Sequence, residues 1–143
     1  MKIGTNSLNR KPCGPPFAVA PDKAMHALIY KICTAAHWEA AQATGHLAAT
    51  GIDATDGYMH FSAASQVQET AKRHFCGQPG LVLLTVATQP LGRALTWEPS
   101  RGGALFPHLY GPLPVAAVQS AMPLPLDAHG VPRIPALDDG VHR

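Results

Sequence analysis

Asp56-Gly57-Tyr58-Met59-His60-Phe61-Ser62, with the residues that run on to Phe75, is the stretch that decides the fold. Asp-Gly is a turn dipeptide, because glycine takes positive φ without a Cβ clash, and Tyr58 to Phe61 is a short apolar-aromatic run suited to a strand. Alternation puts Tyr58 and His60 on one face of that strand and Met59 and Phe61 on the other. The spacing then predicts a helix. Ser62 is its candidate N-cap, Ser65 and Gln68 offer a second capping pair, and Ala64, Val67, Ala71 and Phe75 recur at helical intervals. Such a junction sets His60 and Ser62 beside a helix N-terminus, whose free N–H groups and partial positive charge suit a phosphate or carboxylate.

Before this stretch, Ala27 to Cys33 reads as a first strand, rich in β-branched and aromatic residues and carrying one charge, Lys31. Thr34 is placed to cap a helix over 35–44, with Trp38 and Ala41 on its buried face and Gly45 as its left-handed stop. Residues 46–55 predict a loop or short extended segment. After it, Leu81 to Ala87 is continuously apolar and predicts a strand buried on both faces. Nine of the fourteen prolines fall from Pro90 onward, so strands, bends and loops are expected there, with little or no helix. Asp127 to Arg133 resembles a late hairpin or arm.

A length of 143 residues fits a single domain with its own core, expected over 25–137. Residues 1–24, basic by three and rich in proline, predict a flexible extension, with Met25 the expected start of the fold and a candidate start of translation. Residues 138–143 predict a loose tail. Basic and acidic residues balance at six each over 25–137, so no nucleic-acid surface is expected, and a small ligand fits better. Cys13, Cys33 and Cys76 form no Cys-x-x-Cys pair, which predicts reduced thiols and a cytoplasmic protein. No run approaches the roughly 18 apolar residues of a membrane span. The sequence leaves the oligomeric state open.

No complete catalytic motif is present, so the candidate site is assembled from scattered residues. His60 can donate to or accept from a polar ligand, and the Ser62 hydroxyl can serve both helix and ligand. His108 and Tyr110 sit two apart in a strand bracketed by Pro107 and Pro112 and therefore share a face. Glu98 and Arg101 flank a Gly-Gly bend, where a carboxylate could steady positive charge and a guanidinium could grip phosphate. His60, His74, Cys76 and His108 lack paired ligand spacing, and no metal is expected. A different reading makes Phe106 to Pro114 the docking face of a non-catalytic interaction module.

Tyr30-Lys31-Ile32 with Trp38, the Asp56 to Ser62 stretch, Trp97-Glu98, and Phe106-Pro107-His108-Leu109-Tyr110-Gly111-Pro112-Leu113 together resemble the bacterial family called domain of unknown function 952. Its members resemble the catalytic domain of ADP-ribosyltransferases. The resemblance implies an α+β fold in which two small mixed or antiparallel sheets form a cleft, with two helices in the N-terminal half. It implies NAD or an ADP-ribose-type nucleotide as ligand or substrate and an ADP-ribosyl or phosphoribosyl type of transfer. The resemblance puts Lys31, His60 and Ser62 at the donor site and leaves Glu98 as the nearby carboxylate. Joined to the reading of the residues, the binding candidates are Lys31, His60, Ser62, Arg101 and Tyr110, and the catalytic ones Glu98, His60 and His108. Lys31 stands where that family often has histidine, and His60 where the transferases have tyrosine. RNA phosphotransferases of the same fold also carry a histidine-bearing strand.

Overall fold

Leu28–Thr34 forms strand β1 and runs straight into helix α1, Ala35–Thr44. The Thr34 hydroxyl accepts from the His37 N–H at 3.0 Å, and Gly45 closes the helix at φ 92°. The structure, a computed structural model, describes residues 27–49 and 52–137. The expected extension over 1–24 and tail over 138–143 lie outside the described residues.

Strand β2 (His46–Leu47), helix α2 (Ile52–Asp56), strand β3 (Met59–His60) and helix α3 (Val67–His74) follow. Then come β4 (Leu81–Ala87), β5 (Leu95–Pro99), β6 (Leu105–Leu109), β7 (Leu113–Pro114) and β8 (Val118–Leu124). Beyond His74 the helical segments among the described residues are short 3-10 turns, as the prolines lead one to expect. Leu126 bridges Pro132, and the Asp127 N–H donates to the Val131 carbonyl, closing the expected late hairpin.

The fold is α+β, built on small antiparallel sheets. One has the order β1-β4-β8, a second β3-β6-β5, and β2 pairs with β7. Strand β4 is central to the first sheet, and its two faces feed two cores. Val82, Leu84 and Val86 pack with Ile29, Met59, Leu109 and Leu113, while Leu81 and Leu83 pack with Tyr30, Ile32, Val67 and Leu124. Burial on both faces is why the 81–87 stretch carries apolar residues without alternation. Trp38 packs against the first core, as its place on α1 predicts.

The two larger sheets are stitched together just after β3. There Tyr30 and Ser62 exchange backbone hydrogen bonds, each 2.8 Å, so the chain leaving β3 pairs with the free edge of β1. This overturns the expected helix start. Ser62 is held extended by the ladder and cannot cap, and α3 begins only at Val67 after a turn. The Ser62 hydroxyl instead lies 3.1 Å from that of Thr70. Gln66 steadies the turn, its amide oxygen accepting from Ala63 N–H and its amide nitrogen donating to the Leu105 carbonyl, both at 2.8 Å. The second correction is α2, a helix where a loop was expected. It brings the α-helices of the N-terminal half to three rather than two.

No helix among the described residues is long and apolar enough to cross a membrane. Leu84 is fully buried at the centre of β4. Its truncation to alanine is expected to remove about 2 to 5 kcal/mol of stability, read as a lower midpoint with an unchanged slope in urea denaturation.

Candidate functional site

Where β1, α2, β3 and α3 approach one another, a cleft of about 930 Å³ opens. Lys31, His60, Ser62 and His108 all line it, although they are spread over much of the chain. Antiparallel pairing accounts for two of them: β3 lies against β6 with His60 directly opposite His108. The Tyr30–Ser62 bridge accounts for the others, since it brings Lys31 of β1 beside His60 of β3.

Asp53 on α2 organises this corner. One of its oxygens, Oδ2, accepts from Lys31 Nζ at 2.7 Å. The other, Oδ1, lies 2.5 Å from His60 Nδ1 and accepts from the His60 backbone N–H at 3.2 Å. Lys31 Nζ also donates to the His60 carbonyl at 3.2 Å. On the far edge of the same imidazole, Nε2 is 3.1 Å from Asp56 Oδ2. A carboxylate thus faces each ring nitrogen. Burial pushes the Asp53 pKa up, but the charge and hydrogen bond of Lys31, joined by those of His60, outweigh it and hold the carboxyl below its ordinary range.

A second cluster sits on the β5–β6 hairpin. Glu98 Oε1 is 2.8 Å from His108 Nδ1 and accepts from the Tyr110 hydroxyl at 2.7 Å. The hydrogen bond from His108, then that from Tyr110, lowers the Glu98 pKa, while the same bond to Glu98 pushes Tyr110 up to about 12. The Tyr58 ring ties the clusters together. It stacks on His108 at a centroid distance of 4.2 Å and lies 4.8 Å from His60 and 5.2 Å from Tyr110.

The expected site residues therefore separate into groups. Lys31, His60, Ser62 and His108 line the cleft, but Lys31 is only 8% exposed and its ammonium is engaged by Asp53. Glu98 and Tyr110 are not among the lining residues and stand behind His108. The side chain of Arg101 lies outside the described residues. Within Phe106 to Pro114, Phe106, Pro107, His108, Leu109 and Leu113 are buried, while Tyr110, Gly111 and Pro112 are exposed. Among the described residues no group of three or more His, Cys, Asp or Glu is placed to hold a metal. Sequence reasoning missed Asp53, Asp56 and Tyr58. The signal was present as two aspartates three apart, the second four residues before His60, but it counts only once residues 52–56 are known to be helical.

The chain matches the family described as "Protein of unknown function (DUF952)" over residues 32–121. It is 54% identical to protein CC0527 from Caulobacter crescentus, whose crystal structure superposes with a TM-score of 0.72 over 74% of this chain and 93% of that one. The solution NMR structure of CC0527 gives 53% identity and a TM-score of 0.68, covering 75% of this chain and 92% of that one. No curated protein matches.

Lys31 and Asp53 form a buried pair, so Asp53→Ala, which strands the ammonium, is expected to lose about 3 to 5 kcal/mol in urea denaturation at pH 7. The folded pKa of Asp53 is depressed below its unfolded value, so its contribution is complete above about pH 4 and is lost as pH falls through the folded value. The stability advantage of the wild type over Asp53→Asn should accordingly shrink as pH is lowered below about 4.

Proposed function

Since the chain belongs to the DUF952 family of proteins of unknown function, we propose its role from the chemistry of its cleft: it binds a small anionic, nucleotide-like ligand of the NAD or ADP-ribose type. The observation that carries this reading is the convergence of His60, His108, Lys31 and Ser62 on one cavity of about 930 Å³. That size lies within the range of roughly 300 to 1,000 Å³ usual for small-molecule sites. The cleft offers two kinds of wall. The β3–β6 side presents the rings of Tyr58, His60 and His108 with the carboxylates of Asp53 and Asp56. The side formed by α1 and α3 presents Thr34, His37, Thr70 and His74 and contributes no carboxylate to the lining.

A dinucleotide is itself divided in this way. Its planar, cationic nicotinamide ring suits an aromatic wall backed by aspartates, since a ring face attracts positive charge. Its diphosphate suits the hydroxyl and imidazole side, where no carboxylate repels it. Lys31 then acts indirectly, as the charge that lets Asp53 stay ionised, and the anion is read by hydroxyl and imidazole groups.

ADP-ribosyl transfer is the finer part of the proposal. Cutting the bond between nicotinamide and ribose builds positive charge on the sugar, which a carboxylate facing it stabilises. Of the two carboxylates in the cleft lining, Asp53 is engaged by Lys31 and His60, which leaves Asp56, while Glu98 acts through His108. The transfer reading leans on the resemblance to ADP-ribosyltransferases, and fold alone does not assign function. Cys33 and Cys76 are free thiols, consistent with a reducing, cytoplasmic setting.

Thermal shift with NAD, ADP-ribose and nicotinamide tests the binding reading. A ligand at about 100 times its dissociation constant should stabilise by about 2.7 kcal/mol, and Tyr58→Ala should reduce that gain. Absence of a shift with all of them would exclude a nucleotide site. Where NAD is turned over, Asp56→Asn is expected to slow it by more than about 100-fold with little change in binding; an unchanged rate would remove Asp56 from the reaction.

A further inference from the structure

We propose that the β3–β6 side of the cleft is a subsite for a hydrogen-bond donor, in which His108 Nε2 accepts from a hydroxyl of a sugar-like group and Glu98 is the positioning residue. The inference rests on the reading of the cleft as a nucleotide site and names the part of the ligand held there. His108 is 2% exposed, yet its Nε2 has no hydrogen-bond partner among the described residues. A buried polar atom left unpaired loses its hydration without return, and native structures rarely tolerate this away from a functional site. His108 lines the cleft and Glu98 does not, so a guest that reaches the ring would meet the edge turned away from Glu98.

The chemistry of that edge follows from its neighbours. A carboxylate only accepts, so Nδ1 carries the proton that reaches Glu98 Oε1 at 2.8 Å. Tyr110 donates to the same oxygen at 2.7 Å, which holds the Glu98 carboxylate in place. With Nδ1 protonated, Nε2 of the neutral ring has a lone pair and no hydrogen. The Tyr58 ring, stacked on His108 at 4.2 Å, fixes the plane in which the lone pair lies.

The acceptors this side offers a guest are therefore His108 Nε2 and the Asp56 carboxylate, the Asp53 oxygens being engaged by Lys31 and His60. A phosphate or carboxylate oxygen, itself an acceptor, cannot satisfy Nε2, whereas a hydroxyl can. A ribose-like group, with several hydroxyls on one ring, can donate to the imidazole and to an aspartate together. The diphosphate of the same ligand is directed to the α1–α3 side.

Imidazole nitrogen NMR on the whole chain tests this at pH 7. The ligand-free protein should show His108 with Nδ1 protonated and Nε2 bare, and Glu98→Ala should change it to a mixture of tautomers. Saturating ADP-ribose should move the Nε2 resonance, whereas inorganic pyrophosphate should not. His108→Phe, which keeps a ring against Tyr58, should weaken ADP-ribose by about tenfold and leave pyrophosphate unaffected. A protonated Nε2 in the free protein overturns the inference, as does an Nε2 signal that bound ADP-ribose leaves still or that pyrophosphate moves equally. If the tautomer is as expected but no nucleotide binds, the nucleotide reading alone falls. Free D-ribose at high concentration then decides the subsite: a shifted Nε2 supports it, and an unshifted one removes it.

Discussion

One carboxylate holds the site together. Asp53 contacts the Lys31 ammonium with one oxygen and the His60 ring and backbone with the other, so α2, β1 and β3 meet at a single side chain. Each of these groups alone would be a poor thing to bury. A lysine at 8% exposure needs a countercharge, an aspartate at similar depth needs donors, and each supplies the other's need. The fold can therefore place charge beside an apolar wall, next to Phe61 and within reach of Tyr58. An ion pair of this kind adds little net stability over a well-packed apolar pair. Its clearer effect is orientation, since it leaves His60 with a defined set of partners.

The sheets make that corner possible. Neither larger sheet closes on itself, and each has an edge strand with backbone groups to satisfy. The Tyr30–Ser62 pairing uses the free edge of β1 for this and lays β3 across the gap between the sheets. Lys31 and His60 come together as a by-product of hydrogen-bond accounting. The same crossing forbids a helix at Ser62, and the turn held by Gln66 fills the interval before α3. The overall fold is shared with CC0527 of Caulobacter crescentus across most of both chains.

Much of the framework was legible in the residues, and the reasons are local. The helix over 35–44 is written by the hydroxyl of Thr34 and the freedom of Gly45, and β4 by an apolar run too long for one face. Alternation correctly set Tyr58 and His60 together and buried Met59 and Phe61. Two readings failed because their cause lies far away in sequence. Ser62 has the chemistry of a cap, but a strand thirty residues earlier takes its backbone. Residues 52–56 lack a long amphipathic period, and their helix is fastened by side chains of β1 and β3. In the candidate site, histidines on paired strands could be foreseen to converge. What no pattern disclosed was that Asp53 would occupy the lysine and that Glu98 would stand behind His108 rather than in front of it.

The β5–β6 hairpin differs from every other sheet pairing in one respect. Pro99 lies opposite Leu105 across a short turn, whereas β1 must find β4, and β3 must find β6, over far longer intervals of chain. Closing a loop is entropically less demanding the shorter it is, so this hairpin is the sheet element that an unfolded chain can assemble with least loss. Glu98, His108 and Tyr110 all ride on it or at its end. The imidazole with the open nitrogen can thus be oriented during folding before the partners across the cleft arrive, and the pocket is completed around a group already set in direction.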